Sequence, residues 1–314
     1  MAAKEQISFL RITGIEKEYP VPSLNPFRKG ERQKALKGLD LTIPRGSVCS
    51  VLGPNGAGKT TLIKILAGLI LPDRGKIEMP SEGFKGVGLV TPNDRSFYWR
   101  LTGRQNLDFF ASLYSLSDSK DTIDSVLQEV KLIDAADKPY RQYSAGMKQK
   151  LNIARALLSD PELYLLDEPA SHLDPIARED FRNFVKEILL KKRGATVLLC
   201  THDLDEAAEL SDRIALLHKG RIVAQGDPEM LKSRVKEENH YEVRHQGVPS
   251  LWTDEFSNRI ETMNSTSFRL RSGKEEISDI MESFILQGGK LTELIREEAG
   301  LMDILKHYLE GGNE

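Results

Sequence analysis

The sequence predicts an α/β fold: a mainly parallel sheet with helices on both faces, followed by a small α+β unit. Two observations carry that reading. Short apolar runs without a polar face, SVCSVL (47–52), LYLLD (163–167), ATVLLCT (195–201) and DRIALLH (212–218), suit strands buried on both sides. Amphipathic stretches of helical period stand between them, the alternation expected of crossover-connected parallel strands. Near Lys232 the pattern stops, and the charged segment KSRVKEENH (232–240) reads as a linker.

Taken in order, residues 7–19 read as a strand ending at Tyr19, and the Pro- and Lys/Arg-rich stretch Pro20–Lys34 as an exposed loop or insertion. ALKGLDLTI (35–43) reads as a strand and Pro44–Arg45–Gly46 as a turn into the apolar run SVCSVL. A Gly-rich loop then opens the helix TTLIKILAGL, which closes at Gly68, and short strands follow near 76–79 and 86–90. From Thr102 to about Asp137 the chain is helical, with apolar stripes in NLDFFASLYSL and DTIDSVLQEVKLIDAAD. Beyond the linker, YEVRH, NRIETM, SFRLR and KLTELI read as strands, with a helix over 274–287 and a last one through Leu309.

Composition narrows the function classes. Lys plus Arg total 44 and Asp plus Glu 47, a net charge of −3, which argues against a protein that holds nucleic acid or an acidic membrane by charge alone. Apolar residues at 39% and charged residues at 29% suit a packed core. The two cysteines, Cys49 and Cys200, lie within apolar runs and read as buried free thiols. The first twenty residues lack the basic and apolar regions of a secretion signal, and no apolar stretch reaches the ~20 residues that span a bilayer.

Chemistry enters with Gly53, Pro54, Asn55, Gly56, Ala57, Gly58, Lys59, Thr60 and Thr61, which match G-x-x-x-x-G-K-[ST] between a strand and a helix. Glycines let backbone N–H groups approach phosphates, and the helix N-terminus adds positive potential. Lys59 is placed for the β- and γ-phosphates and the Thr60 hydroxyl for Mg²⁺. The strand LYLLD ends in two carboxylates: in a P-loop enzyme Asp167 belongs on the Mg²⁺ shell, and Glu168 is placed to polarise a water. The next strand delivers His202, whose neutral imidazole can meet a γ-phosphate. Upstream, Ser144 is an N-cap type at the head of the helix KQKLNIARALLS, and the small residues beside it leave room for a phosphate.

Over residues 7–230 the set resembles the nucleotide-binding subunit of ATP-binding cassette (ABC) transporters, motif by motif and in order. The resemblance makes GPNGAGKTT the Walker A loop, LYLLDEP Walker B and YSAGMKQ the family signature. It puts Ser171–Asp174 at the D-loop, makes His202 the switch histidine, and makes Tyr19 the aromatic that stacks on adenine. It implies an ATPase domain over 1–234 with a P-loop NTPase core, an antiparallel β subdomain and a helical subdomain at about 100–160. It also implies ATP and Mg²⁺ as ligands, and a head-to-tail homodimer in which Ser144, Ala145, Gly146 and Asp174 act across the interface.

Departures from the family pattern are informative. The signature has Ala145 for a Gly and Met147 for a Gln, a form resembling the branch that serves ABC-2-type exporters. At the Q-loop, Pro92 or Asn93 takes the glutamine position depending on the direction of alignment, and Asn93 offers a shorter carboxamide towards metal and water. In the family the stretch 94–107 lies where the coupling surface begins, and Phe97, Tyr98 and Trp99 read either as a pocket for a helix of a membrane partner or as an aromatic core cluster under the helical subdomain. The 235–314 segment resembles the small dimerisation or regulatory extension of that branch.

Three readings of the whole chain compete. The first is the energising subunit of an exporter, peripheral on the cytoplasmic face of the cell membrane beneath a separate polytopic permease. The second is a soluble non-transport ABC ATPase. Such proteins typically carry fused cassettes or coiled-coil insertions, which this sequence lacks. The third is a binding-only ATP sensor.

Overall fold

A computed structural model describes residues 8–20, 32–80, 83–92, 96–117, 119–171, 173–234, 239–248, 252, 255–273 and 276–297. The chain forms two compact units, 1–228 and 229–314.

The first unit is built on a six-stranded sheet ordered β5-β6-β7-β3-β8-β9. Its strands are β3 (Val48–Leu52), β5 (Val87–Val90), β6 (Leu163–Asp167), β7 (Thr196–Thr201), β8 (Arg213–His218) and β9 (Arg221–Gly226). All neighbours are parallel except the β8–β9 hairpin at the edge. The apolar runs are buried on both faces because alternate side chains feed two cores. Val48, Tyr164, Leu166, Val197 and Leu199 face the helical layer. Cys49, Val51, Leu163, Leu165, Leu198 and Cys200 face the other side.

That other side is covered by α1 (Lys59–Leu66) and by a three-stranded antiparallel sheet ordered β2-β1-β4, made of β1 (Ser8–Pro20), β2 (Arg32–Pro44) and β4 (Arg74–Glu78). Pairing of Tyr19 with Gln33 and Pro20 with Arg32 carries the strands into the stretch that composition marks as a loop. Cross-strand hydrogen bonding overrides its poor strand propensity there. On the opposite face pack α2 (Gly103–Leu113), α3 (Ser119–Glu129) and α4 (Ala145–Leu157). Thr102 starts α2 with a capping box closed by Gln105. Helix α5 (Pro175–Asn183) runs on as a π-helix over Phe184–Lys192, and α6 (Leu204–Leu210) follows β7.

Helix α7 (Pro228–Arg234) begins at the last residue of the first unit, and the second unit holds a four-stranded antiparallel sheet ordered β11-β12-β10-β13. The strands are β10 (Asn239–His245), β11 (Ile260–Asn264), β12 (Ser267–Ser272) and β13 (Leu291–Glu297). Helix α8 (Ile277–Leu286) packs through Ile277, Ile280, Met281 and Phe284 onto Tyr241, Val243, Phe268 and Leu270. Trp252 meets Phe284 edge-to-face with ring centroids 4.9 Å apart. The helix expected through Leu309 lies outside the described residues.

Candidate active site at the strand ends

The C-terminal ends of β3, β6 and β7, adjacent parallel strands, bring the predicted residues together, where ligands bind on open α/β sheets. The loop after β3 is pinned from below. Gly53 N–H donates to the Thr201 carbonyl at 3.3 Å, and a Cβ on Gly53 would stand 2.2 Å from the Leu217 carbonyl oxygen. Gly58 adopts φ 118°, and a Cβ there would stand 2.7 Å from the Ala35 carbonyl oxygen of β2. Both positions therefore require glycine.

Lys59, at the first position of α1, is buried, and its Nζ donates to the carbonyls of Gly53 at 2.6 Å and Pro54 at 3.3 Å. Glu168 Oε1 lies 3.1 Å from the same nitrogen, an ion pair without an aligned hydrogen bond. Glu168 Oε2 and His202 Nδ1 are 2.7 Å apart. Glu168 itself has φ 47°, a left-handed conformation uncommon for a side-chain-bearing residue, which strains the backbone just past β6.

Thr60 Oγ1 donates to Asp167 Oδ2 at 2.9 Å. Asp167 is buried, and its Oδ1 has no hydrogen-bond partner among the described residues. Burial is the main cause that raises its pKa above the ordinary value, against the lowering effect of the Thr60 hydrogen bond. A hydroxyl, a carboxylate and one orphaned carboxylate oxygen make a hard-oxygen donor set that fits Mg²⁺. Among the described residues no cluster of three metal-binding side chains exists. A small divalent ion here would draw its remaining ligands from water and phosphate, the usual habit of Mg²⁺.

The other predicted positions do not all join this cluster. Asn55, Gly56, Ala57 and Thr61 follow the loop into α1. Tyr19 is exposed at the end of β1 and pairs with Gln33, two residues along β2 from the Ala35 carbonyl that abuts Gly58. Ser144 caps α4 by accepting from Met147 N–H at 3.2 Å, with Ala145 and Gly146 opening the helix. Asp174 caps α5 by accepting from Ala177 N–H at 2.9 Å. None of these caps bonds to the P-loop cluster among the described residues. Asn93 lies outside the described residues, and Pro92 sits in the turn after β5. Phe97 turns inward and stacks on Tyr140, whereas Tyr98 and Trp99 are exposed, so the three aromatics do not share one surface.

Sequence reasoning missed a layer of support. Arg178 donates through Nε to the Leu173 carbonyl at 3.1 Å and through Nη1 to Asp203 Oδ2 at 3.0 Å. Asp203 also caps α6, accepting from Asp205 and Glu206 N–H at 3.0 Å each. An N-cap residue type directly after His202 was the readable signal. Glu206 is buried beneath that turn, and burial foremost pushes its carboxyl up to about 7. The two thiols are buried as expected, and burial raises Cys49 to about 12.

The family model described as "ABC transporter" matches residues 36–171. The daunorubicin resistance ATP-binding protein DrrA3 of Streptomyces coeruleorubidus is 38% identical over 234 residues, 71% of this chain and 70% of that protein. The chain belongs to the ABC transporter ATP-binding family. The bacitracin transport ATP-binding protein BcrA of Bacillus licheniformis is 33% identical over 290 residues, covering 89% of this chain and 94% of its own length. A dimeric post-hydrolysis structure of the ATP-binding cassette MJ0796, bound to ADP and Pi, superposes with a TM-score of 0.60 at 25% identity, over 70% of this chain and 98% of that one. The first unit thus has the P-loop ABC-ATPase fold, and the chain is an ATP-binding cassette that hydrolyses ATP.

Proposed function

We propose that this ABC ATPase energises export through a separate membrane-spanning permease, from the cytoplasmic face of the cell membrane. The observation that supports the chemistry best is the convergence of Lys59, Glu168 and His202 on one chain of contacts, beside the Thr60–Asp167 pair. In this reading Lys59 and the loop N–H groups hold the β- and γ-phosphates, and Tyr19 stacks on the adenine. Glu168 takes the proton of the attacking water, and His202 orients Glu168 and faces the γ-phosphate. Asp167 and Thr60 would hold Mg²⁺, which when bound neutralises charge on the phosphates. Catalysis then rests on positioning and fixed dipoles around a loose transition state.

Two chains would close head to tail, with Ser144, Ala145, Gly146 and Asp174 of one meeting the ATP held by the other. The 235–314 segment would serve dimerisation or regulation. Among the described residues no helix is long and apolar enough to cross a membrane, and in this reading a partner supplies the path. Exposed aromatic residues support such a contact. Tyr98 meets Phe109 edge-to-face, and Trp99, Leu113 and Tyr114 are exposed nearby in sequence. The relatives named for antibiotic transport or resistance favour export.

The test has two arms. Phosphate release from ATP by the purified chain should require Lys59 and Glu168, and wild-type turnover by Glu168→Gln would remove the proposed chemistry. In membranes, a photo-crosslinker at Trp99 should capture a polytopic protein, with capture lost in Tyr98→Ala. Purely soluble fractionation without capture would return the non-transport reading.

A further inference from the structure

His202 is 53% exposed at its side chain. An imidazole with so little packing is not held by its neighbours' bulk, so its direction must come from the backbone that carries it and from hydrogen bonds. The bonds around it close into a ring. Ser171 N–H and Oγ both donate to the Glu168 carbonyl, at 3.3 and 3.0 Å. Two residues on, the Leu173 carbonyl accepts from Arg178 Nε, and Nη1 of the same guanidinium reaches Asp203. Asp203 is the residue after His202, and His202 Nδ1 returns to Glu168 Oε2 at 2.7 Å. Thr201 Oγ1 completes the histidine turn by accepting from Asp203 N–H at 3.0 Å.

We propose that Arg178 is a positioning residue for ATP hydrolysis, a planar strap that ties the turn after Glu168 to the turn carrying His202 and so keeps the imidazole on the carboxylate. The proposal rests on the reading that Glu168 and His202 carry hydrolysis. The fork of a guanidinium suits the task, because Nε and Nη1 donate in fixed directions to two acceptors on different loops. A lysine must serve both acceptors from a single nitrogen on a flexible stem and lacks that fixed fork. None of the strap's bonds touches the P-loop, so the strap should act on turnover and leave ATP binding alone.

The test is a set of full-length variants assayed for steady-state phosphate release and for single turnover at enzyme excess. Arg178→Met should lower kcat about tenfold with KM for ATP within twofold, and Arg178→Lys should recover only part of the loss. Asp203→Ser keeps a side chain able to cap α6 while removing the strap's anchor, and it should reproduce the loss should Arg178→Met fail to fold. In a His202→Ala background, Arg178→Met should slow single turnover no further. Turnover within twofold of wild type in Arg178→Met, or in Asp203→Ser where Arg178→Met does not fold, overturns the proposal. So does an equal loss with and without His202, because it would mean that Arg178 acts elsewhere. If His202→Ala and Glu168→Gln themselves turn over normally, it is the reading of the site that fails.

Discussion

Replacing Glu168 by Gln separates what the carboxylate does for turnover from what it does to Lys59. In the structure Lys59 Nζ is shared between the Gly53 carbonyl at 2.6 Å and Glu168 Oε1 at 3.1 Å, with side chains only 6% and 16% exposed. A phosphate arriving at the loop competes with that carboxylate for the same ammonium. A pair this shielded is worth on the order of 1–2 kcal/mol, more than an exposed one. Gln keeps the shape and drops the charge, so ATP should bind as tightly as to wild type or up to about tenfold tighter. Turnover should move the other way, because losing a general base costs roughly 10²–10⁴-fold, about 3–5 kcal/mol of barrier. Displacement of a fluorescent nucleotide reads the first quantity, phosphate release the second, and gel filtration with ATP and Mg²⁺ the dimer that should accumulate. Turnover within about threefold of wild type would refute Glu168 as the base. ATP binding weakened more than about fivefold would refute the competition for Lys59.

Further outcomes are expected elsewhere. Gly53→Ala drives a Cβ to 2.2 Å from the Leu217 carbonyl and should cost about 1–3 kcal/mol, read as a melting temperature several degrees lower; an unchanged melt would show that the strand end yields freely. Thr60→Ala should shift half-maximal Mg²⁺ for hydrolysis upward by about tenfold, the order of effect expected from losing a metal-site hydrogen-bonding partner; an unaltered Mg²⁺ titration would take the hydroxyl out of the metal shell. Asn93→Ala should lower phosphate release several-fold, and an unchanged kcat would leave Pro92 at the Q-loop position. Glu206 holds its proton up to about pH 7 in the folded chain, above the ordinary value of 4.5. Its raised pKa favours the folded state fully below pH ~4.5, and that contribution is lost as pH rises through 7. Glu206→Gln should therefore raise the melting temperature relative to wild type more at pH 8 than at pH 5, and a pH-independent difference would contradict this.

The strands and the cluster at their ends were legible because their signals are local. A run such as LYLLD needs no partner to declare itself buried on both faces, and G-x-x-x-x-G-K-[ST] fixes its own geometry within eight residues. The ring through Arg178 was not legible. It joins residues 168, 171, 173, 178 and 202–203, whose meeting depends on how β6 and β7 lie side by side. The aromatic stretch divides between core and surface for a related reason, since nothing in Phe97–Trp99 says which ring faces the helical core and which faces solvent. Strand ends at Pro20 and Arg32 were hidden because pairing across a sheet outweighs local composition.

The thiol of Cys200 lies 3.9 Å from the carbonyl of Lys59, directly under the first turn of the phosphate-binding helix, and it shares its apolar layer with Cys49. Both thiols are sealed, and burial holds both in the unreactive protonated form. A bulky alkylating reagent can reach them only when the floor beneath the phosphate loop comes apart. The chain thus carries an internal reporter: labelling of these sulfurs reads out the opening of the nucleotide-binding core, and nucleotide that clamps the loop should slow it.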